Sequence, residues 1–556
     1  MTKSVIYSVI GVRIHNTRTC WSASVPSKNG TILKIQNSAS PLKNGAGKTK
    51  FQYPICLGLL DICSISCYFP FSMKIKIPIS SLTCTAAVVM VLFSATAAFA
   101  IDAFFPSFGN AGIDVQHYAL QIALGDDPNF LTGRAVLSIK ATAKLAAFTL
   151  DLHHLNVFFV EVDGHPAAFK VSGDKLKITP RRSIPRHEEF RVMIAYGGRT
   201  EAIQDPVDPD DPTDTMGWKT FDGAAYVVSE PVGASTYFPA NDEPDDKATF
   251  DITVTVPKPL IAVANGRLRK VRDLGATRSF AFEMKQPMTT WLATVHVNDF
   301  DVTQVASRGQ VPITIYTTPA TAEDVTVLAR ARDMLPFFER QWGRYPFSSY
   351  GSVIVEDPKI TYALECQSIS MFSTRAWADY EAVVAHELAH QWFGNSVSVS
   401  KWEDIWLSEG FATYGERLWA NRDDPDGFKA DMAAIYALLL EKHVGSAVID
   451  TPLDLFSHRT YRRGALALYA VELQIGTRKM AHLLKRWATQ YRYKSVDSQD
   501  FIELAVRDSG DDAVRAILEA WLYDDAVPVL PGLEPTAIAR SAFVRAPLAM
   551  DQRCTP

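Results

Sequence analysis

Cysteine is scarce in this chain, with seven in 556 residues. Five of them (Cys20, Cys56, Cys63, Cys67 and Cys84) fall in the first hundred residues, leaving only Cys366 and Cys554. That excludes a disulfide-framed scaffold. Excess charge of one sign is also lacking: 56 basic residues stand against 61 acidic ones, a net charge of -5. The basic footprint of a nucleic-acid binder is therefore missing. Long apolar runs are missing too. The clearest, over 85–97, is too short for a comfortable membrane span, which argues against a multi-span membrane protein. With 47% apolar and 21% charged residues, the composition excludes disorder and collagen for the bulk of the chain. At about 150 residues per domain, the length implies more than one domain.

Acidic residues are nearly absent from one place. Residues 1–100 hold ten Lys or Arg and a single acid, Asp61. The remainder, 101–556, then carries 46 basic and 60 acidic residues, a net charge of -14. Met73 opens a second start, with Lys74 and Lys76 followed by the apolar stretch and by Ala98-Phe99-Ala100. A positive n-region, an apolar h-region and an A-x-A site make 73–100 a secretory signal peptide. Translation is therefore expected to begin at Met73, with 1–72 a non-native upstream extension. A transit peptide, which 1–50 resembles, would leave the A-x-A segment unexplained. The mature chain is expected to be exported, periplasmic or secreted, and to start near Ile101.

The mature sequence changes texture once. Tyr118, Leu120, Ile122 and Leu124 alternate along one strand. Phe250, Ile252, Val254 and Val256 alternate with Asp251, Thr253 and Thr255 along another. Period two with one apolar face marks half-buried strands. Residues 101–303 thus read as a β domain. From 304 to 530, strands at 311–316 and 351–356 give way to helical periodicity over 322–342, 378–395, 406–421, 427–443, 461–475, 477–492, 498–507 and 511–523. Residues 531–556, with four prolines, read as an irregular tail. The fold class is α+β.

Within the helical pattern that Asp379 can cap stands H-E-L-A-H at 386–390. His386 and His390, at i and i+4, share one helical face, so both imidazoles reach one Zn²⁺. Glu387 stands beside the first, placed to activate a water. A catalytic zinc site uses three protein ligands. The third candidate is Glu409, with eighteen residues between it and His390. Chance alone gives H-E-x-x-H in about one or two such chains per hundred, and the further glutamate in about one per thousand. Asp404 and Glu416 flank Glu409, and either is placed to orient a zinc ligand. The remaining histidines, including His153, His154, His443 and His458, show no ligand spacing. Trp402, Trp406 and Trp419 read as core packing. Cys366 and Cys554 are expected to stay unpaired.

H-E-L-A-H-Q-W-F-G-N followed by W-L-S-E-G-F-A resembles the M1 (gluzincin) aminopeptidases. D-V-Q-H-Y at 114–118, S-E-P-V-G-A-S-T-Y-F-P-A-N-D at 229–242 and the stretch 501–523 extend the resemblance over about 113–530. It implies a saddle-like N-terminal β-sheet domain before a thermolysin-like, mainly helical zinc peptidase domain. It also implies a short bacterial type without the C-terminal helical domain of larger members. Three residues carry over from the family: Glu230 and Glu365 to bind a substrate's free amine, and Tyr461 to donate to the oxyanion. Arg463 stands where lysine is common. The family's G-A-M-E-N motif reads Y-A-L-E-C at 362–366, which alters the first-residue pocket. The implied activity is zinc-dependent hydrolysis of the N-terminal peptide bond of peptides, with Zn²⁺ as cofactor. A thermolysin-like endopeptidase would share the zinc triad without the amine anchors. An inactive binding protein on this fold would have lost zinc ligands or the base, and none is lost here.

Overall fold

The computed structural model describes residues 102–530, apart from 375, 376 and 378, together with three strands nearer the N-terminus. The chain divides into two compact units, 1–94 and 95–556. In the first, His15–Thr17, Cys20–Pro26 and Ile32–Gln36 form an antiparallel sheet. The signal peptide expected at 73–100, the rest of the 1–72 extension, the 531–556 tail and Cys554 lie outside the described residues.

The second unit opens with an eight-stranded sheet. Its strand order is Arg267–Asp273, Thr277–Met288, Ala248–Pro257, Ile113–Leu124, Phe130–Ala141, Glu189–Arg199, Asn156–Val162 and His165–Pro166. The two strands whose alternation stands out in the sequence lie side by side at its centre. They pair in parallel, with Phe250 opposite Tyr118, Ile252 opposite Leu120 and Val254 opposite Ile122. All six side chains are buried, and the rings of Tyr118 and Phe250 stack with centroids 4.7 Å apart. Period-two alternation puts every second side chain on the core face, so one register buries the whole apolar set. A five-stranded sheet contains Ala224–Val228, whose end delivers Glu230.

A four-stranded mixed sheet follows: Asp301–Val305, Ile313–Thr317, Tyr350–Val355 and Ile369–Ser373. Its first strand crosses the expected 303/304 boundary. Nine α-helices complete the described residues: α1 (Val325–Leu328), α2 (Ala331–Trp342), α3 (Tyr380–Ala389), α4 (Trp406–Ala420), α5 (Pro425–Lys442), α6 (Gly464–Ile475), α7 (Thr477–Gln490), α8 (Ser498–Ser509) and α9 (Ala513–Tyr523). The Asp379 side chain caps α3 by accepting from the Ala382 amide at 3.0 Å. Trp402, Trp406 and Trp419 are buried among other aromatic rings.

Candidate metal centre and active site

The C-terminal half of helix α3 lies in the core, so its ionisable residues are largely shielded from bulk water. His386, Glu387 and His390 are at most 2% exposed, as is Glu409 on the neighbouring α4. Buried ionisable groups persist only when paired or bound to a cation. Here His386 Nε2 lies 3.3 Å and His390 Nε2 3.5 Å from the same oxygen, Glu409 Oε2. Donors about 2.0–2.2 Å from one tetrahedral zinc stand roughly 3.3–3.5 Å from each other, so the three residues fit the metal.

The other ring nitrogens set the tautomers. His386 Nδ1 faces Glu416 Oε2 at 3.3 Å. His390 Nδ1 lies 3.2 Å from the Phe393 carbonyl and 3.0 Å from Ser408 Oγ. A carbonyl only accepts, so His390 Nδ1 carries a proton, which leaves Nε2 facing Glu409 and able to offer its lone pair to the metal when one is bound. Of the two flanking acids, Glu416 orients a histidine, with Arg417 holding its other oxygen. Asp404 instead meets Ser498, which accepts from Trp406 Nε1 at 2.8 Å. Ser408 and the Phe393 carbonyl carry no sequence signal. Gly394 does: its φ is +114°, and a Cβ there would fall 2.3 Å from Ser408 Oγ and 3.1 Å from His390 Nδ1.

Electrostatics follow from this crowding. Burial alone would lower His386, but hydrogen bonds to Glu409 and Glu416 outweigh it and lift it to about 9. His390 is likewise lifted to about 10, against burial, by Glu365 and Glu409. Burial would raise Glu409, yet the two imidazoles hold it down at about 2. Glu387 goes the other way: burial pushes it to about 8, partly offset by His386 and His390. Its Oε2 has no hydrogen-bond partner.

The sequence-distant candidates converge on this cluster. Glu230, Glu365 and Glu409 are buried, with one carboxylate oxygen from each within 4.8 Å of the others. Burial raises the Glu365 carboxyl. The Glu365 backbone is clamped from the zinc-motif segment: Gln391 Nε2 donates to its carbonyl at 2.9 Å and Asn395 Nδ2 at 2.8 Å. The Q and N of H-E-L-A-H-Q-W-F-G-N thus hold the amine-binding candidate in place. Cys366 is buried behind it and unpaired. Tyr461 sits in a π-helical turn, Arg459–Arg463, a local form frequent at functional sites. Its ring stacks on that of His386 with centroids 5.8 Å apart and 14° between planes. Arg463 points elsewhere. It is buried and donates to the carbonyls of Trp521 at 2.8 Å and Val444 at 2.9 Å, so its charge serves the C-terminal end of α9.

Comparison with known proteins agrees with this geometry. Residues 115–292 match the peptidase M1 N-terminal domain and residues 329–521 the peptidase family M1 domain. Glutamyl aminopeptidase of Sus scrofa is 27% identical over 357 residues, covering 58% of this chain and 37% of its own length. The chain thus spans little more than a third of that relative. A solved M1 zinc metallopeptidase from Deinococcus radiodurans, a mutant bound to a Tyr-Ser-Ala substrate, has a TM-score of 0.69 and 29% identity. The match covers 78% of this chain and 99% of that one. A solved two-domain M1 zinc metallopeptidase mutant bound to L-tryptophan gives 30% identity over the same shares, again with a TM-score of 0.69. With both domains matched in order and nearly the whole of a solved relative covered, this chain belongs to peptidase family M1, and its cofactor is Zn²⁺.

Proposed function

We propose that this chain is an exported zinc aminopeptidase that removes the N-terminal residue from peptides. The observation that carries this reading is the meeting of Glu230 and Glu365 with Glu409 in one buried cluster. Buried carboxylates need cations. Glu409 faces the two histidines, and Glu230 and Glu365 stand beside it, where a substrate's α-ammonium would meet two carboxylates at once. A mid-chain or blocked peptide brings no such cation. Losing a charge-assisted contact of this kind is worth a few kcal/mol, about 10²–10³ in selectivity. The relatives named as aminopeptidases and the tripeptide-bound neighbour support the same substrate class.

In this reading His386, His390 and Glu409 hold the metal. Zn²⁺, when bound, supplies Lewis acidity and lowers the pKa of a water towards about 7. Glu387 takes the proton of the attacking water and hands it to the leaving amine. This is general acid–base catalysis by a carboxyl whose burial favours its taking up a proton. Tyr461, over the His386 ring, donates to the oxyanion as charge develops.

A panel of aminoacyl-naphthylamides, assayed with and without chelator, tests the proposal. Turnover should vanish with chelator and return with Zn²⁺. Glu365→Ala should lower kcat/KM for free-amine substrates far more than for N-acetylated ones. Equal loss on both would remove the amine-anchor role, and efficient cleavage of blocked peptides would favour a thermolysin-type endopeptidase. Glu387→Ala should retain zinc without turnover; a fully active variant overturns its role as base. Export rests on the signal-peptide features of 73–100. N-terminal sequencing of the mature protein should read from Ile101, and a start before Met73 would contradict it.

A further inference from the structure

His153 and His154 have no ligand spacing in the sequence, yet the fold gives them a third partner. We propose that His153, His154 and Glu201 form a second binding site, on the β-rich lobe, for a transition-metal dication of the Zn²⁺ type. One potential ligand atom from each residue lies within 4.8 Å of the other two.

The backbone explains how two consecutive side chains converge. In extended chain they would point to opposite faces. His154 instead has φ +54°, a left-handed conformation uncommon outside glycine. The turn is fixed on both sides: the His153 amide donates to the Ser235 carbonyl at 2.9 Å, and the Leu155 amide to the His153 carbonyl at 2.7 Å. As a result the two imidazoles lie with centroids 4.4 Å apart. Glu201 enters from another segment, anchored where the Thr200 amide donates to the Asn129 carbonyl at 2.7 Å.

The imidazoles are also oriented for a cation. His153 Nδ1 lies 2.8 Å from Asp174 Oδ1, and the carboxylate accepts its proton. Its Nε2 then keeps a lone pair, shielded from solvent and without a hydrogen-bond partner. A carboxylate behind a histidine is the arrangement that fixes tautomer and raises basicity in metal sites. His154 Nδ1 meets Glu201 Oε2 at 2.7 Å, a contact that a bound ion would open to the roughly 3.3–3.5 Å between two donors on one metal. The side chains of His154 and Glu201 are 53% and 61% exposed against 12% for His153, so a hydrated ion has an open approach to a shielded back wall. Two imidazoles and one carboxylate suit Zn²⁺, Ni²⁺ or Cu²⁺; Ca²⁺ and Mg²⁺ require oxygen shells. Such an ion ties the 153–154 turn to residue 201 and stabilises the lobe by mass action.

The test is Zn²⁺ binding to the whole protein by equilibrium dialysis with metal analysis. Wild type should take up two Zn²⁺ per chain. His154→Asn, which tolerates the left-handed backbone, and Glu201→Gln should each take up one, with peptide hydrolysis unchanged. Asp174→Asn should weaken the second site about 10–100-fold. Excess Mg²⁺ or Ca²⁺ should not displace the second ion. One Zn²⁺ per chain in wild type overturns the proposal. So does a second site that survives Glu201→Gln, whose exposed side chain keeps the test valid should His154→Asn fold poorly. Displacement by Ca²⁺ would equally exclude imidazole ligation.

Discussion

Gly410 of α4 and Gly464 of α6 touch backbone to backbone. A Cβ on Gly410 would lie 2.7 Å from the Gly464 Cα, and one on Gly464 would lie 2.9 Å from the Gly410 Cα. Glu409 and Tyr461 flank this contact in sequence, so it sets how closely the π-turn approaches the metal cluster. Gly410→Ala should push the segments apart and destabilise the protein by about 1–3 kcal/mol. Because Tyr461 shifts while the three metal-binding candidates keep their own helices, kcat should fall with zinc content retained. Thermal melts, metal analysis and kinetics on one preparation check this, and loss of zinc in parallel with activity would refute it.

Glu416 acts on the metal only through His386 Nδ1, at 3.3 Å. Glu416→Gln keeps the shape and removes the charge that polarises the imidazole. Zinc affinity should drop about 10–100-fold, measured by competition with a chelator. Asp404→Asn, whose carboxylate meets Ser498, should leave zinc affinity unchanged.

Lys247 ties the β-rich lobe to the turn after α3. Its ammonium donates to the carbonyls of Asn395 at 2.9 Å and Ser396 at 3.1 Å and to Ser398 Oγ at 2.8 Å. Burial lowers its pKa to about 7. Lys247→Met strands two carbonyls and should destabilise by about 1–3 kcal/mol. Asn395 also clamps Glu365, so KM for free-amine substrates should rise more than kcat falls. Steady-state kinetics beside a thermal melt separates this from a purely structural loss.

Stability should decline from mildly acidic to mildly basic pH. Burial raises Asp246 and Glu243 to about 8 and Asp242 to about 6. Each folded pKa exceeds its unfolded value, so the folded state binds more protons than the unfolded state between about 4 and 8. The stabilisation is complete below the unfolded values and is lost as pH rises through the folded ones. Tm should therefore fall between pH 5 and pH 8, and Asp246→Asn should flatten the profile. A wild-type Tm that rises over this interval would contradict the assignment.

Local order carries much of this fold. Alternation marks 118–124 and 250–256 as strands because a strand exposes every second side chain to one face. The i, i+4 spacing of His386 and His390 and the Asp379 cap are decided within one helix. Eighteen intervening residues indicate Glu409 because the next helix returns beside the first. Contacts across long separations were not legible in the same way. Asp404 and Glu416 flank Glu409 alike in sequence, and only helix packing aims Glu416 at His386. Arg463 stands near Tyr461 in sequence, where lysine is common, yet its guanidinium is turned onto carbonyls near the end of α9. Glu230 and Glu365 needed a family resemblance to be singled out, because they lie 135 positions apart and no periodicity links them. His154 and Glu201 lie forty-seven positions apart, and a left-handed turn that no composition announces brings them together. Sequence alone determined the elements and the metal motif, since both depend on neighbours within a few turns. Tertiary structure decided which charges face the metal, because that depends on how buried elements pack against one another.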